Sequence, residues 1–183
     1  MENNFYLSVV IPVYNDQEVL IELYNRLKPV IDGITNRYEI IFVDDGSKDN
    51  SFAVISSIQK IDCNVKAIKL SRNFGQANSI AAGLDNAEGE IIILMDSDLQ
   101  DRPEDIPKLI EAMTENNVSM AIARWVSRDD SIFKKAVSNI FYKVSKKITN
   151  INHEPNLGVF RAIKKNVIDE IKKIPEKTGT TLS

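Results

Sequence analysis

The chain has 183 residues, 43% of them hydrophobic, enough for one well-buried domain and short for two. Its 23 basic and 26 acidic side chains give a formal charge of −3, so no nucleic-acid partner is expected and any bound phosphate must be met locally. A lone cysteine, Cys63, excludes an internal disulfide and a multi-cysteine metal site and fits a reducing compartment, the cytoplasm. The first apolar run is interrupted by Pro12 and has no basic region before it, so it does not read as a leader. No apolar run approaches the roughly 20 residues of a membrane span.

In chain order, "LSVVIPV" (7 to 13) reads as a strand, and Leu20, Leu23, Leu27, Val30 and Ile34 follow at helical spacing. "YEIIFV" (38 to 43) is a second strand, succeeded by a helix on Phe52, Ile55 and Ile58. "VKAIKL" (65 to 70) precedes a helix carrying Ile80 and Leu84, and "EIIILM" (90 to 95) precedes one carrying Ile106, Leu109, Ile110 and Met113. "SMAIAR" (119 to 124) is a fifth strand. Strands apolar on both faces, alternating with helices, predict an α/β fold with a mainly parallel sheet flanked by helices. Ligands of such sheets bind beyond the carboxyl ends of the strands.

The loops at those ends are "PVYND", "DDGS", "SRNFG", "DSDLQD" and "RWVSRDDS". Taken singly, several have plain explanations. Ser47 or Asp49 in the second loop could cap the next helix, and "RPEDIP" reads as a helix start with Pro103 in its first turn. The "DSDLQD" loop is harder to dismiss, because it sets Asp96, Asp98 and Asp101 directly behind a core strand, where carboxylates repel and resist dehydration. Asp96 and Asp98 can converge on one hard cation, with Gln100 adding a neutral oxygen. Mg²⁺ or Mn²⁺ held this way keeps positions open for phosphate oxygens. Neither standard phosphate cradle is available instead: the turn after the first strand lacks the glycines of a dinucleotide fold, and no G-x-x-x-x-G-K-[ST] stretch occurs. An acid pair after strand two and a cation site after strand four together describe a metal-dependent nucleotide-sugar site.

The stretches "VVIPVYND", "YEIIFVDDGSKDNS", "LSRNFGQANSIAAGLDNAEGE" and "ILMDSDLQDRPEDIP" resemble, in order and spacing, the inverting family-2 glycosyltransferases of the nucleotide-diphospho-sugar transferase (GT-A) fold. The likeness is greatest to the polyprenyl-phosphate sugar transferases, dolichyl-phosphate mannose synthases among them, and it runs from about residue 7 to 174. The resemblance implies a UDP- or GDP-sugar donor and a lipid-phosphate or glycan acceptor in cell-envelope glycan synthesis. It implies that Pro12, Tyr14 and Asp16 line the nucleoside pocket, Asp16 standing where the family usually has Glu. Asp44 would face the base with Asp45 beside it, and Asp96 and Asp98 would serve ribose and metal with Gln100 as a further ligand. Arg72 and Asn73 would lie on the donor-sugar side. Arg124, Arg128 and Ser131 match an acceptor-side pattern suited to a phosphate, Arg124 also acting in catalysis with Asp98. Surface charges following a strand are the plain alternative for these arginines.

One departure matters: where the subgroup reads Gly-Asp-Phe-Arg-Leu, this chain has "NLGVFRA", so Val159 replaces the acid and only Phe160 and Arg161 match. If the acceptor is a phosphate, already ionised, no strong base is needed; if it is a hydroxyl, Asp129, Asp130 and Glu154 are the candidates. The expected chemistry is a single displacement at the anomeric carbon, with inversion, the cation neutralising charge on the leaving diphosphate.

Residues 131 to 150 carry an apolar helical stripe, Ile132 to Ile148, with Lys134, Lys135, Lys143, Lys146 and Lys147 around it. The plain reading is a helix packed on its own domain; the other is a basic amphipathic helix lying on an anionic membrane at the inner face of the cell membrane. His153 is read as a loop residue. The expectation is one catalytic domain over residues 1–183, lacking the C-terminal acceptor-side or membrane-anchoring elements of similar proteins. The alternatives are a non-catalytic nucleotide-sugar-binding module, and an Asp-based phosphotransferase, whose Asp-x-Asp would belong after the first strand rather than the fourth.

Overall fold

The computed structural model describes residues 6–124 and 157–173. They form one six-stranded sheet with helices on both faces. The first half alternates regularly: β1 (Leu7–Val13), α1 (Leu20–Asp32), β2 (Tyr38–Asp44), α2 (Ser51–Ile61), β3 (Val65–Lys69), α3 (Gln76–Asn86) and β4 (Ile91–Leu94). A short 3-10 turn, Pro103–Asp105, leads into α4 (Ile106–Glu115), followed by β5 (Met120–Arg124), β6 (Leu157–Lys164) and α5 (Lys165–Lys172). The strand order is β3-β2-β1-β4-β6-β5. β1 pairs in parallel with β2 and β4, and β2 with β3, whereas β6 runs antiparallel to both β4 and β5.

Each run predicted as a strand forms one, shifted by a residue or two at the ends. β6 is the addition. It wedges between β4 and β5, which sequence order alone would have made neighbours.

β1 and β2 are buried along their whole length, as central parallel strands covered on both faces must be. On one face Leu20, Leu23, Leu27 and Ile31 of α1, Ile55 and Ile58 of α2, and Ile106, Leu109 and Met113 of α4 pack on Val9, Ile11, Ile40 and Phe42. On the other, Ile80 and Leu84 of α3 and Ile168 of α5 pack on Val10, Ile41, Val43 and Ile92. α3 approaches β1 so closely that a methyl group on Gly83 would lie 2.3 Å from Val10 Cγ1. These layers fix the carboxyl ends of β1, β2 and β4 along one rim, with the start of α3 beside them.

Candidate active site

Three loops at this rim are locked together by backbone N–H groups donating to side-chain oxygens. Asn15, in the left-handed region at φ 59°, donates its N–H to Ser47 Oγ at 3.0 Å, and its side-chain oxygen accepts from Lys48 N–H at 2.8 Å. Asp16 N–H donates to Ser51 Oγ at 2.9 Å, and Gln17 N–H to Asp49 at 3.2 Å. The polar residues of "DDGSKDNS" therefore stitch the β1–α1 loop to the start of α2. Ser47 caps no helix, while Asp49 accepts the N–H of Ser51, the first residue of α2.

The third loop, "SRNFG", is held by Asp45. This buried carboxylate accepts the N–H of Phe74 on one oxygen (2.8 Å) and of Gly75 on the other (2.9 Å). Gly46, at φ 67°, lies against the same loop: a Cβ there would sit 2.5 Å from the carbonyl carbon of Arg72, so glycine is required for both conformation and space. Asp44 is fully buried; one oxygen accepts Ser47 N–H at 3.2 Å and the other has no hydrogen-bond partner among the described residues. An unpaired buried carboxylate oxygen is costly in a finished core and useful where a ligand N–H will meet it.

The acid loop follows β4. Asp101, buried, accepts Asp96 N–H at 2.8 Å and closes the loop, which turns through Leu99 at φ 64°. Asp98 accepts Gln100 N–H at 3.0 Å. Gln76, opening α3, reaches in and donates its amide to Asp96 Oδ1 at 2.6 Å, and Ser97, within the loop, donates its hydroxyl outward to Asp16 Oδ2. Burial pushes the Asp96 carboxyl up, and the neighbouring charge of Asp98 adds to the shift. Burial likewise pushes Asp101 up to about 6, against the hydrogen bond from Asp96 N–H and with the charges of Asp96 and Asp98 raising it further.

These loops enclose an open cavity of about 360 Å³. Pro12, Tyr14, Asp16, Asp45, Asn73, Asp96 and Asp98 line it, as the sequence reading groups them. Gly75, Gln76, Ser79 and Ser97 line it as well and were not assigned; neutral polar residues carry no signal until the fold sets them against a carboxylate. Asp44, Arg72 and Gln100 are outside the lining, Arg72 stacking its guanidinium on the Phe74 ring at 4.5 Å. Arg124 ends β5, its backbone paired in register with Leu157. Arg128, Ser131, residues 131–150, His153 and the base candidates Asp129, Asp130 and Glu154 lie outside the described residues.

The donor set fits a hard divalent cation. No group of three or more acidic, imidazole or thiolate side chains arranged to hold a metal occurs among the described residues. Asp96 and Asp98 nonetheless face one cavity, where the charge of Asp98 helps burial hold the Asp96 carboxyl up. Mg²⁺ and Mn²⁺ sites that work on phosphates need no closed protein cage: one or two carboxylates suffice when substrate oxygens complete the shell.

The sequence profile of glycosyl transferase family 2 matches residues 8–172, and the chain belongs to that family. It is 40% identical over 177 residues to the glycosyltransferase YkcC of Bacillus subtilis strain 168, covering 97% of this chain and 55% of that one. It is 34% identical to the undecaprenyl-phosphate 4-deoxy-4-formamido-L-arabinose transferase of Shewanella sediminis, covering 97% and 54% respectively. The chain thus spans about half the length of these curated relatives. Among solved structures, the mannosyltransferase PcManGT of Pyrobaculum calidifontis in complex with GDP-Man and Mn²⁺ superposes with a TM-score of 0.65 at 17% identity, covering 92% of this chain and 47% of that one. Glucosyl-3-phosphoglycerate synthase of Mycobacterium tuberculosis, in complex with Mn²⁺, UDP-glucose and phosphoglyceric acid, gives 0.63 at 17%, covering 89% and 57%. At such identities these likenesses establish the GT-A fold. Family membership displaces the phosphotransferase alternative.

Proposed function

We propose that the chain is the nucleotide-sugar-binding, catalytic part of an inverting glycosyltransferase that moves a sugar from a UDP- or GDP-sugar to a polyprenyl phosphate in cell-envelope glycan synthesis. The observation that carries this reading is the convergence of Asp96 and Asp98 with the β1–α1 and β3–α3 loops on one cavity, in a family-2 chain whose relatives include an undecaprenyl-phosphate sugar transferase.

Pro12, Tyr14 and Asp16 form the nucleoside wall, and Asp44, behind the lining with one oxygen unpartnered among the described residues, suits a base N–H. Asn73, on the loop clamped by Asp45, faces the donor sugar. Asp96 and Asp98 would hold Mg²⁺ or Mn²⁺, with Gln100 reaching it as the loop adjusts; a bound cation supplies neutralisation of charge on the leaving diphosphate. Asp101 keeps the backbone of Asp96 in place, and Gln76 fixes the orientation of its carboxylate. Arg124, Arg128 and Ser131 bind the acceptor phosphate by charge-assisted hydrogen bonds. An ionised phosphate attacks without a base, which agrees with Val159 standing where the subgroup carries an acid. Residues 131–150 are the contact through which the lipid acceptor is met; among the described residues no helix is long and apolar enough to cross a membrane. Residues 1–183 act as one catalytic domain.

The test is to incubate the chain with polyprenyl phosphate, Mn²⁺ and a panel of labelled UDP- and GDP-sugars and to extract lipid. Label in the lipid fraction from one donor, lost on adding EDTA, is the expected result. Nucleotide binding without transfer to any acceptor would favour a binding module instead.

A further inference from the structure

The cavity is lined by Asp16, Asp45, Asp96 and Asp98 and by no lysine or arginine, a poor environment for a diphosphate unless a cation stands close behind the lining. β6, the strand that sequence reading passes over, brings one. Its register with β4 pairs Leu94 with Arg161. Side chains alternate along a strand, and Val159 and Ile163 pack into the same cluster as Leu94, so Arg161 between them stands on the α3 face. That is the face from which Gln76 reaches Asp96. Leu94 ends the pairing two residues before Asp96, so Arg161 stands on the neighbouring strand where the acid loop begins.

The guanidinium is spent in an unusual way. Nε donates to Val159 O at 2.9 Å and Nη2 to Gly158 O at 2.8 Å, both on its own strand. Among the described residues it makes no ion pair. Neutral carbonyls fix the fork without cancelling its charge, and they fix it where β6 begins, beside the acid loop. A fork so placed is preorganised for an anion that arrives with the ligand.

We propose that Arg161 is the leaving-group arginine of this site, a tethered cation that binds the diphosphate of the nucleotide donor beside the Asp96–Asp98 loop. The inference rests on the nucleotide-sugar reading above. As the bond between the anomeric carbon and the β-phosphate oxygen breaks, its electron pair stays on that oxygen, and Arg161 stabilises the added charge through N–H donation without giving up a proton. The acceptor oxygen supplies the new bond to carbon.

The experiment compares Arg161→Gln and Arg161→Lys with the wild-type chain by calorimetric binding of Mn²⁺ alone, and of GDP, GMP, UDP and UMP with saturating Mn²⁺. For the nucleoside that binds wild type, Arg161→Gln should weaken the diphosphate about tenfold or more, as loss of a charged hydrogen bond does, and leave the monophosphate within about twofold. Arg161→Lys should recover part of the loss. Mn²⁺ alone should bind Arg161→Gln at least as tightly as wild type, because a cation has been removed from beside Asp96. The ratio of diphosphate to monophosphate affinity is internal to each variant and survives a change in stability. An unchanged ratio, or Mn²⁺ binding weakened in step with both nucleotides, overturns the role and leaves the nucleotide-sugar reading standing. Absence of diphosphate binding by the wild-type chain would overturn that reading and this inference together.

Discussion

At the amino ends of the strands Glu39 is buried, and each of its oxygens is engaged. Ser8 Oγ–H and Glu88 N–H donate to one at 2.6 and 2.7 Å, and Lys66 Nζ lies 2.6 Å from the other. At the carboxyl ends one oxygen of Asp44 has no partner among the described residues, and Asp96 and Asp98 repel one another at the cavity. Burial pushes the Glu39 carboxyl up, but Lys66 and the hydrogen bonds from Ser8 and Glu88 outweigh it and hold it below its usual range. In the acid loop of the other rim the hydrogen bonds do not outweigh burial, and Asp96 and Asp101 stay raised. The same chemical group serves structure where its partners are inside the chain and function where they must come from outside. A buried acid therefore points to a ligand only when its partners have been counted.

Substitutions at the two rims should separate these roles. The largest effect is expected for Asp98→Asn, which should lower turnover about a hundredfold or more by removing one of the two carboxylates proposed to hold the cation while leaving urea stability near wild type. Glu39→Ala should do the reverse. It strands the buried Ser8 hydroxyl, takes the acceptor from Glu88 N–H and should cost about 2–4 kcal/mol of stability in urea, with nucleotide binding unchanged once folded.

The pH dependence has opposite sign at the two rims. Glu39, with a lowered folded pKa, contributes stability that is present above the unfolded carboxyl value and lost as pH falls through the folded one. Asp101, raised to about 6, binds its proton more tightly when folded. Its contribution is present at low pH and is lost as pH rises from about 4, its unfolded value, through about 6. Asp101→Asn keeps an oxygen to accept Asp96 N–H and removes the buried charge. In EDTA at pH 8 it should stabilise the chain by about 1–2 kcal/mol, and in Mn²⁺ it should gain less stability than wild type. Thermal melts in the two buffers check both parts. The smallest effect is expected for the exposed pair Arg26–Glu104, held at 2.9 and 3.0 Å: Arg26→Met should cost less than about 1 kcal/mol in urea.

Much of the fold was legible because β1, β2 and β4 are short, β-branched and apolar on both faces, and the helices between them keep a stripe of leucine and isoleucine. β6 was not. "LGVFRAIK" faces helices on both sides, so its alternation is hidden, and Gly158 and Arg161 interrupt the apolar run. The position of β6 between β4 and β5 depends on a long-range pairing that no local pattern announces. In the site, the acids were legible as acids, since charge behind a core strand calls for a partner. Their division of labour was not: Asp45 clamps a loop through both oxygens, and Asp101 holds a backbone N–H, roles set by residues 29 and 5 positions away. Ser97 and Gln76 became visible only when the fold brought Asp16 and Asp96 to them.

The most direct measurement is thermal stabilisation of the wild-type chain and of Asp98→Asn by GDP and by UDP, each with Mn²⁺ and again with EDTA. Stabilisation of the wild type by one of the two nucleotides, present with Mn²⁺ and lost with EDTA and in Asp98→Asn, is the result expected of a metal-dependent nucleotide-sugar site. Equal shifts with and without the metal, or no shift with either nucleotide, would contradict it.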